Sequence, residues 1–142
     1  MSQSPLELMQ ELVRADEACS ATLAELDELV RETAWIGKQA SELAAFLDAA
    51  PSERARIDGE IDEAERDVHA RSRALARAQA ELAEAEQRSD EERLAAARRF
   101  VVRARDALSI AEKRAAASRA ASVELERRLS DAQQEAPRLE ER

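Results

Sequence analysis

Apolar residues recur every three or four places along almost the whole chain, and they sort into three stretches. From Ser4 to Ala49 the heptad a positions hold Met9, Asp16, Leu23, Val30, Gly37 and Ala44, and the d positions hold Leu12, Cys19, Leu26, Thr33, Ala40 and Leu47. Position g is apolar too, with Leu8, Ala15, Thr22, Leu29, Ile36 and Leu43. A stripe over a, d and g is wider than one partner helix needs, so this helix is expected to touch two neighbours. Pro51 suits the first turn of a new helix and disrupts the interior of an old one. A second helix is therefore expected over 51–88, with Ile61, Val68, Leu75 and Leu82 at a and Ile57, Ala64, Arg71, Ala78 and Ala85 at d.

Residues 86–93 contain nothing apolar, and the heptad phase slips there. A third stripe starts at Leu94, with Val101, Leu108, Ala115, Ser122 and Leu129 at a and Ala97, Ala104, Ala111, Ser118, Leu125 and Ala132 at d. Two capping boxes mark helix starts, Ser4-Pro5-Leu6-Glu7 and Ser89-Asp90-Glu91-Glu92.

The expected fold is therefore all-α, a single coiled-coil domain over 1–142. Three long antiparallel helices span about 4–49, 51–88 and 90–135, and 136–142 form a tail. The alternative is a helical hairpin in which the second and third stretches fuse into one second helix of about 84 residues.

Composition supports the class. Charged residues make up 37% and aromatics 2%, and Ala, Glu, Arg and Leu dominate, as in long packed helices. Disorder would share the charge but would have no reason to keep a helical period. Charge is unevenly spread: residues 1–50 carry ten acidic and three basic side chains (−7), 51–88 carry ten and seven (−3), and 89–142 carry eleven and twelve (+1). The first and third stretches are thus electrically complementary. The net charge of −9 argues against a general nucleic-acid or anionic-membrane binder. No apolar run approaches membrane-spanning length, and the N-terminus has no basic-then-apolar signal pattern. A cytoplasmic bacterial protein is expected.

Chemistry has little to work with. Cys19 at d reads as a small buried hydrophobe, and His69 falls on a solvent position. One His and one Cys do not make a zinc site, Glu-x-x-His is absent, and no glycine-rich phosphate loop exists. Asp16 and Arg71, the charged seam residues, read as register markers or snorkelling side chains. No enzyme, cofactor, metal or small-molecule substrate is expected. Trp35 and Phe46 lie eleven residues apart on one helix face. They either pack within the bundle or across a dimer, with Trp35 level with about residue 121 of the third helix, or form a docking patch. Phe100 and Val102 flank the third seam and could supply a second packing surface. Arg93, Arg98, Arg99, Arg103 and Arg105 form a basic stretch, read as a partner for the acidic first helix or as a nucleic-acid contact.

Trp35-Ile36-Gly37 resembles the W-x-G turn of small helical hairpins secreted through type VII systems. Here the triplet sits inside a heptad run, and with no Tyr in the chain that family's tyrosine tail signal is missing. In being a long helical coiled coil the chain also resembles the phage-shock protein A family, which implies a membrane-associated scaffold; the acidic first stretch runs against it. The expected function is a non-enzymatic structural or protein–protein interaction module that works through a protein partner or self-association.

Overall fold

The structure, a computed structural model, describes residues 3–141. It contains two long helices packed antiparallel as a hairpin, not three: α1 over Pro5–Arg88 and α2 over Glu91–Glu140. The expected break at Pro51 is absent, so the first and second expected helices are one helix of 84 residues. The hairpin alternative also joined the wrong pair, because the long helix is the first and the break near residue 89 is real. The expected 136–142 tail is largely helical, with Pro137 inside α2. Its last residue, Arg142, and the N-terminal Met1 and Ser2 lie outside the described residues.

Burial shows why Pro51 does not break α1. The buried residues of α1 are Ala50, Ile57, Ala64, Ala78 and Ala85, and Leu43, Leu47, Ile61, Val68, Leu75 and Leu82 are half-buried. Traced back from these at alternating steps of three and four, the seam passes through Ile36, Thr33, Leu29, Leu26, Thr22, Cys19, Ala15, Leu12 and Leu8. These are the g and d positions of the first expected helix. The heptad is unbroken from Leu8 to Ala85, and the a positions of that helix form an additional row beside it. Pro51 falls next to the seam, is exposed, and costs the helix one hydrogen bond, a loss that packing along a continuous seam offsets. Asp16, read as a seam residue, sits on the additional row.

The chain divides into two compact units. In the Leu47–Gln133 unit the C-terminal half of α1 runs against α2. The α2 seam is as expected: Ala97, Val101, Ala111, Ala115, Leu125 and Ala132 are buried. Among the described residues, eight of the eleven that are buried are Ala, so the seam gains stability from close backbone approach more than from bulk. Arg119 Nη2 donates to Glu65 Oε1 across the pair at 2.9 Å, and Arg54 bonds Glu126. All four side chains are well exposed, so these bonds fix register more than they stabilise.

The other unit comprises Met1–Phe46 with Gln134–Arg142. Among its described residues, Ile36, Gln39, Leu43 and Phe46 of α1 and Ala136 and Leu139 of α2 are partly covered. Every residue from Gln3 to Trp35 is exposed, including Cys19, which was expected to be buried.

The caps follow local chemistry. Ser4 and Glu7 form the expected reciprocal box: the Glu7 amide donates to Ser4 Oγ and the Ser4 amide to Glu7 Oε2, each at 3.3 Å. At the second start the cap is Asp90, not Ser89: the Arg93 amide donates to Asp90 Oδ1 at 3.3 Å. Ser89 instead closes α1 in the left-handed region at φ 53°. A side chain there costs about 1 kcal/mol relative to glycine. Ser89→Gly is therefore expected to raise the thermal midpoint by an amount worth about 1 kcal/mol; a lowered midpoint in calorimetry would contradict this account of the turn.

Candidate protein-interaction surface

The N-terminal half of α1 carries two adjacent apolar rows with nothing on them. The first continues the hairpin seam through Leu8, Leu12, Leu26 and Leu29, all exposed. The second runs at the same three-four spacing through Leu6, Met9, Val13, Asp16, Ser20, Leu23, Asp27, Val30 and Ala34. Its large members are exposed as well. Beyond Pro51 the same row carries no large apolar residue: it runs through Ala55, Asp58, Asp62, Glu65, His69, Ser72, Ala76, Gln79, Ala83 and Glu86. One helix thus changes from a one-row seam to a two-row stripe, the pattern of a segment that packs against more than one neighbour. Contiguous exposed apolar area of this kind is uncommon on the surface of a monomeric protein.

On the Leu47–Gln133 unit, α2 has a second row outside its seam: Arg93, Ala96, Phe100, Arg103, Ala107, Ile110, Arg114, Ala117 and Ala121. Phe100 and Ile110 are each 60% exposed. Ala96, Ala117 and Ala121 are also exposed, and Ala107 is half-buried. An arginine thus begins each group of three, and each group otherwise holds small or apolar residues.

The residues singled out in sequence are distributed across both units. Trp35 is 53% exposed, and Phe46, on the same unit, is half-buried. The expected separate third helix is absent; Trp35 and residue 121 belong to different units, and Ala115 of the small-residue run is buried in the α2 seam. Phe100 belongs to the second row of α2, and Val102, 56% exposed, lies off it. Arg93, Arg98, Arg99, Arg103 and Arg105 are all exposed. Among the described residues none of their side chains enters an ion pair with the chain's own carboxylates. Asp27, Ile110 and Arg114 do not stand out in the heptad pattern. Their common spacing becomes visible only when burial has shown which row of each helix is the seam.

Two surface ion pairs perturb the ionisation of their carboxyls. The Arg56 guanidinium hydrogen-bonds Glu53 and holds its carboxyl below the usual range, and Arg127 does the same to Glu124 through bonds of 2.7 and 3.0 Å. Because these carboxyls are lowered in the fold, what the pairs contribute is complete above the ordinary carboxylate range and is lost as pH falls below it. All are exposed, so they are helix-surface pairs and not poised acids or bases. Arg71, a charged seam residue, bonds Asp67 at 3.3 Å on its own helix. An open groove beside it is lined by Glu60, Asp67, Arg71 and Arg114, with no buried polar group turned into it. Among the described residues no group of His, Cys, Asp and Glu could hold a metal ion, and no helix is long and apolar enough to cross a membrane.

No protein-family model matches the chain, and no curated protein or solved structure proves similar to it.

Proposed function

We propose that this chain is a non-enzymatic structural or protein–protein interaction module of coiled-coil type, and that its N-terminal arm, Pro5–Trp35, is the part that engages a protein partner. The observation that carries the reading is the uncovered stripe: ten large apolar residues between Leu6 and Trp35 are about half or more exposed. Leaving such side chains in water forfeits about 1.5–3 kcal/mol each relative to full burial. A helix with no hydrophobic face to bury would be expected to carry polar residues there, as the same helix does at Asp58, Glu65 and Glu86.

Hydrogen exchange on the dilute monomer, as defined by sedimentation, tests the reading. Amides 8–36 are expected to exchange far faster than those of the 57–85 stretch, because no second helix covers them. A sedimenting monomer whose arm amides are as protected as those of the hairpin would overturn the proposal, since the chain itself would then cover the stripe.

A further inference from the structure

We infer that the arm's partner is a second copy of this chain, with the Leu6–Ala34 row of one copy lying along the Arg93–Ala121 row of the other copy's α2. This rests on the reading of the arm as an interaction surface and adds the identity and the site of the partner.

Length, charge and side-chain size all agree with it. Each row spans 28 residue steps, about 42 Å of helix. The arm from Pro5 to Phe46 holds nine acidic and three basic residues (−6), whereas 91–121 holds four acidic and eight basic (+4). Two arms face to face would set −6 against −6, so the complementary surface is α2. The match extends to single positions. Asp16 and Asp27 interrupt the arm row eleven residues apart, and Arg103 and Arg114 interrupt the α2 row eleven residues apart. With the two helices parallel and the rows superposed end to end, Leu6 on Arg93 and Ala34 on Ala121, Asp16 falls on Arg103 and Asp27 on Arg114. Among the described residues none of these four side chains has an ion-pair partner within its own chain. In that register Met9 and Val30 fall on Ala96 and Ala117, a large-on-small fit suited to close helix packing, and Val13 and Leu23 meet the exposed Phe100 and Ile110. Each copy has one arm row and one α2 row, so a two-fold pair makes the contact twice and closes.

Two charge-reversed proteins test this. Asp16→Arg with Asp27→Arg sets two arginines of the arm against Arg103 and Arg114 in each contact of the homodimer; Arg103→Asp with Arg114→Asp sets two aspartates of α2 against Asp16 and Asp27. Sedimentation equilibrium is expected to show a wild-type dimer, with each variant associating roughly ten-fold more weakly or worse. Mixed one to one, the two variants are expected to form a heterodimer with wild-type affinity, because both contacts regain opposite charges. Unfolded variants could not rescue one another, so recovery on mixing also excludes misfolding as the cause of the loss. The inference is overturned if either variant dimerises like wild type, or if mixing restores nothing. A wild-type chain that stays monomeric with fast-exchanging arm amides would also overturn it, while leaving intact the proposal that the arm binds another protein. Monomers with protected arm amides would remove both.

Discussion

Pro51→Ala is expected to raise the stability of α1 by about 2–3 kcal/mol, seen as a higher thermal midpoint and a higher denaturant midpoint at unchanged slope. Pro51 sits well inside an 84-residue helix, where it cannot donate to the Leu47 carbonyl and its ring crowds the preceding turn. Alanine restores the donor and removes the crowding. Part of the gain is returned, because proline restricts the unfolded chain and alanine does not, by about 0.4–1 kcal/mol. The sign is diagnostic. Were Pro51 the first residue of a separate helix, its missing N–H would cost nothing and alanine would leave stability unchanged or lower it.

The same residue shows why the sequence is misleading at this point. A proline following two alanines is a sound reason to expect a helix boundary, and taken alone the local preference points that way. It is outweighed by the repeat from Leu8 to Ala85, whose packing residues continue across Pro51 without losing phase. That repeat is present in the sequence. In the arm, however, Met9, Leu23 and Val30 make a second apolar row, and from letters alone either row could serve as the seam. With Met9, Leu23 and Val30 taken as the a positions, the repeat does not run on in phase to Ile61 and Val68, and nothing then opposes the boundary that Pro51 suggests. At residues 89–90 the local and long-range signals agree, and the break there is real.

Leu125→Ala is expected to cost about 2–5 kcal/mol, the usual range for truncating a leucine in a core. Leu125 is 5% exposed and, among the described residues, is the one buried leucine in a set otherwise made of alanines with Ile57 and Val101. A seam made largely of alanine has few large side chains to relax into the gap, so the cost should lie toward the upper part of that range. Leu26→Ala is the control. Leu26 occupies an equivalent heptad position but is 51% exposed, so in the dilute monomer its loss should change stability by no more than about 0.5 kcal/mol. Denaturant titration of both variants reads the difference directly. Comparable losses would mean that the arm seam is covered in the monomer, contrary to the structure.

The candidate surface was only partly legible. The extra width of the arm stripe and the opposite charges of the chain's two ends are plain in the letters. So are Phe100 and the arginine stretch from Arg93 to Arg105. The pairing of Asp16 and Asp27 with Arg103 and Arg114 is not, because until the seam is known Asp16 reads as a core position and Arg114 as one more solvated charge.

By itself the sequence determined the helical class, the chain reversal near residue 89, the first cap at Ser4 and the packing face of α2. Each follows from short-range rules: apolar spacing, a side-chain oxygen within reach of a free amide, and a stretch with nothing to bury. Only the tertiary structure decided which of two neighbouring rows on α1 is the seam. It also decided that α1 passes through Pro51, and that residues 3–35 lie uncovered. Those outcomes depend on what stands opposite each helix face. A heptad repeat states that a face will be buried but not against what, and the partner's position is settled by packing between residues far apart in the chain.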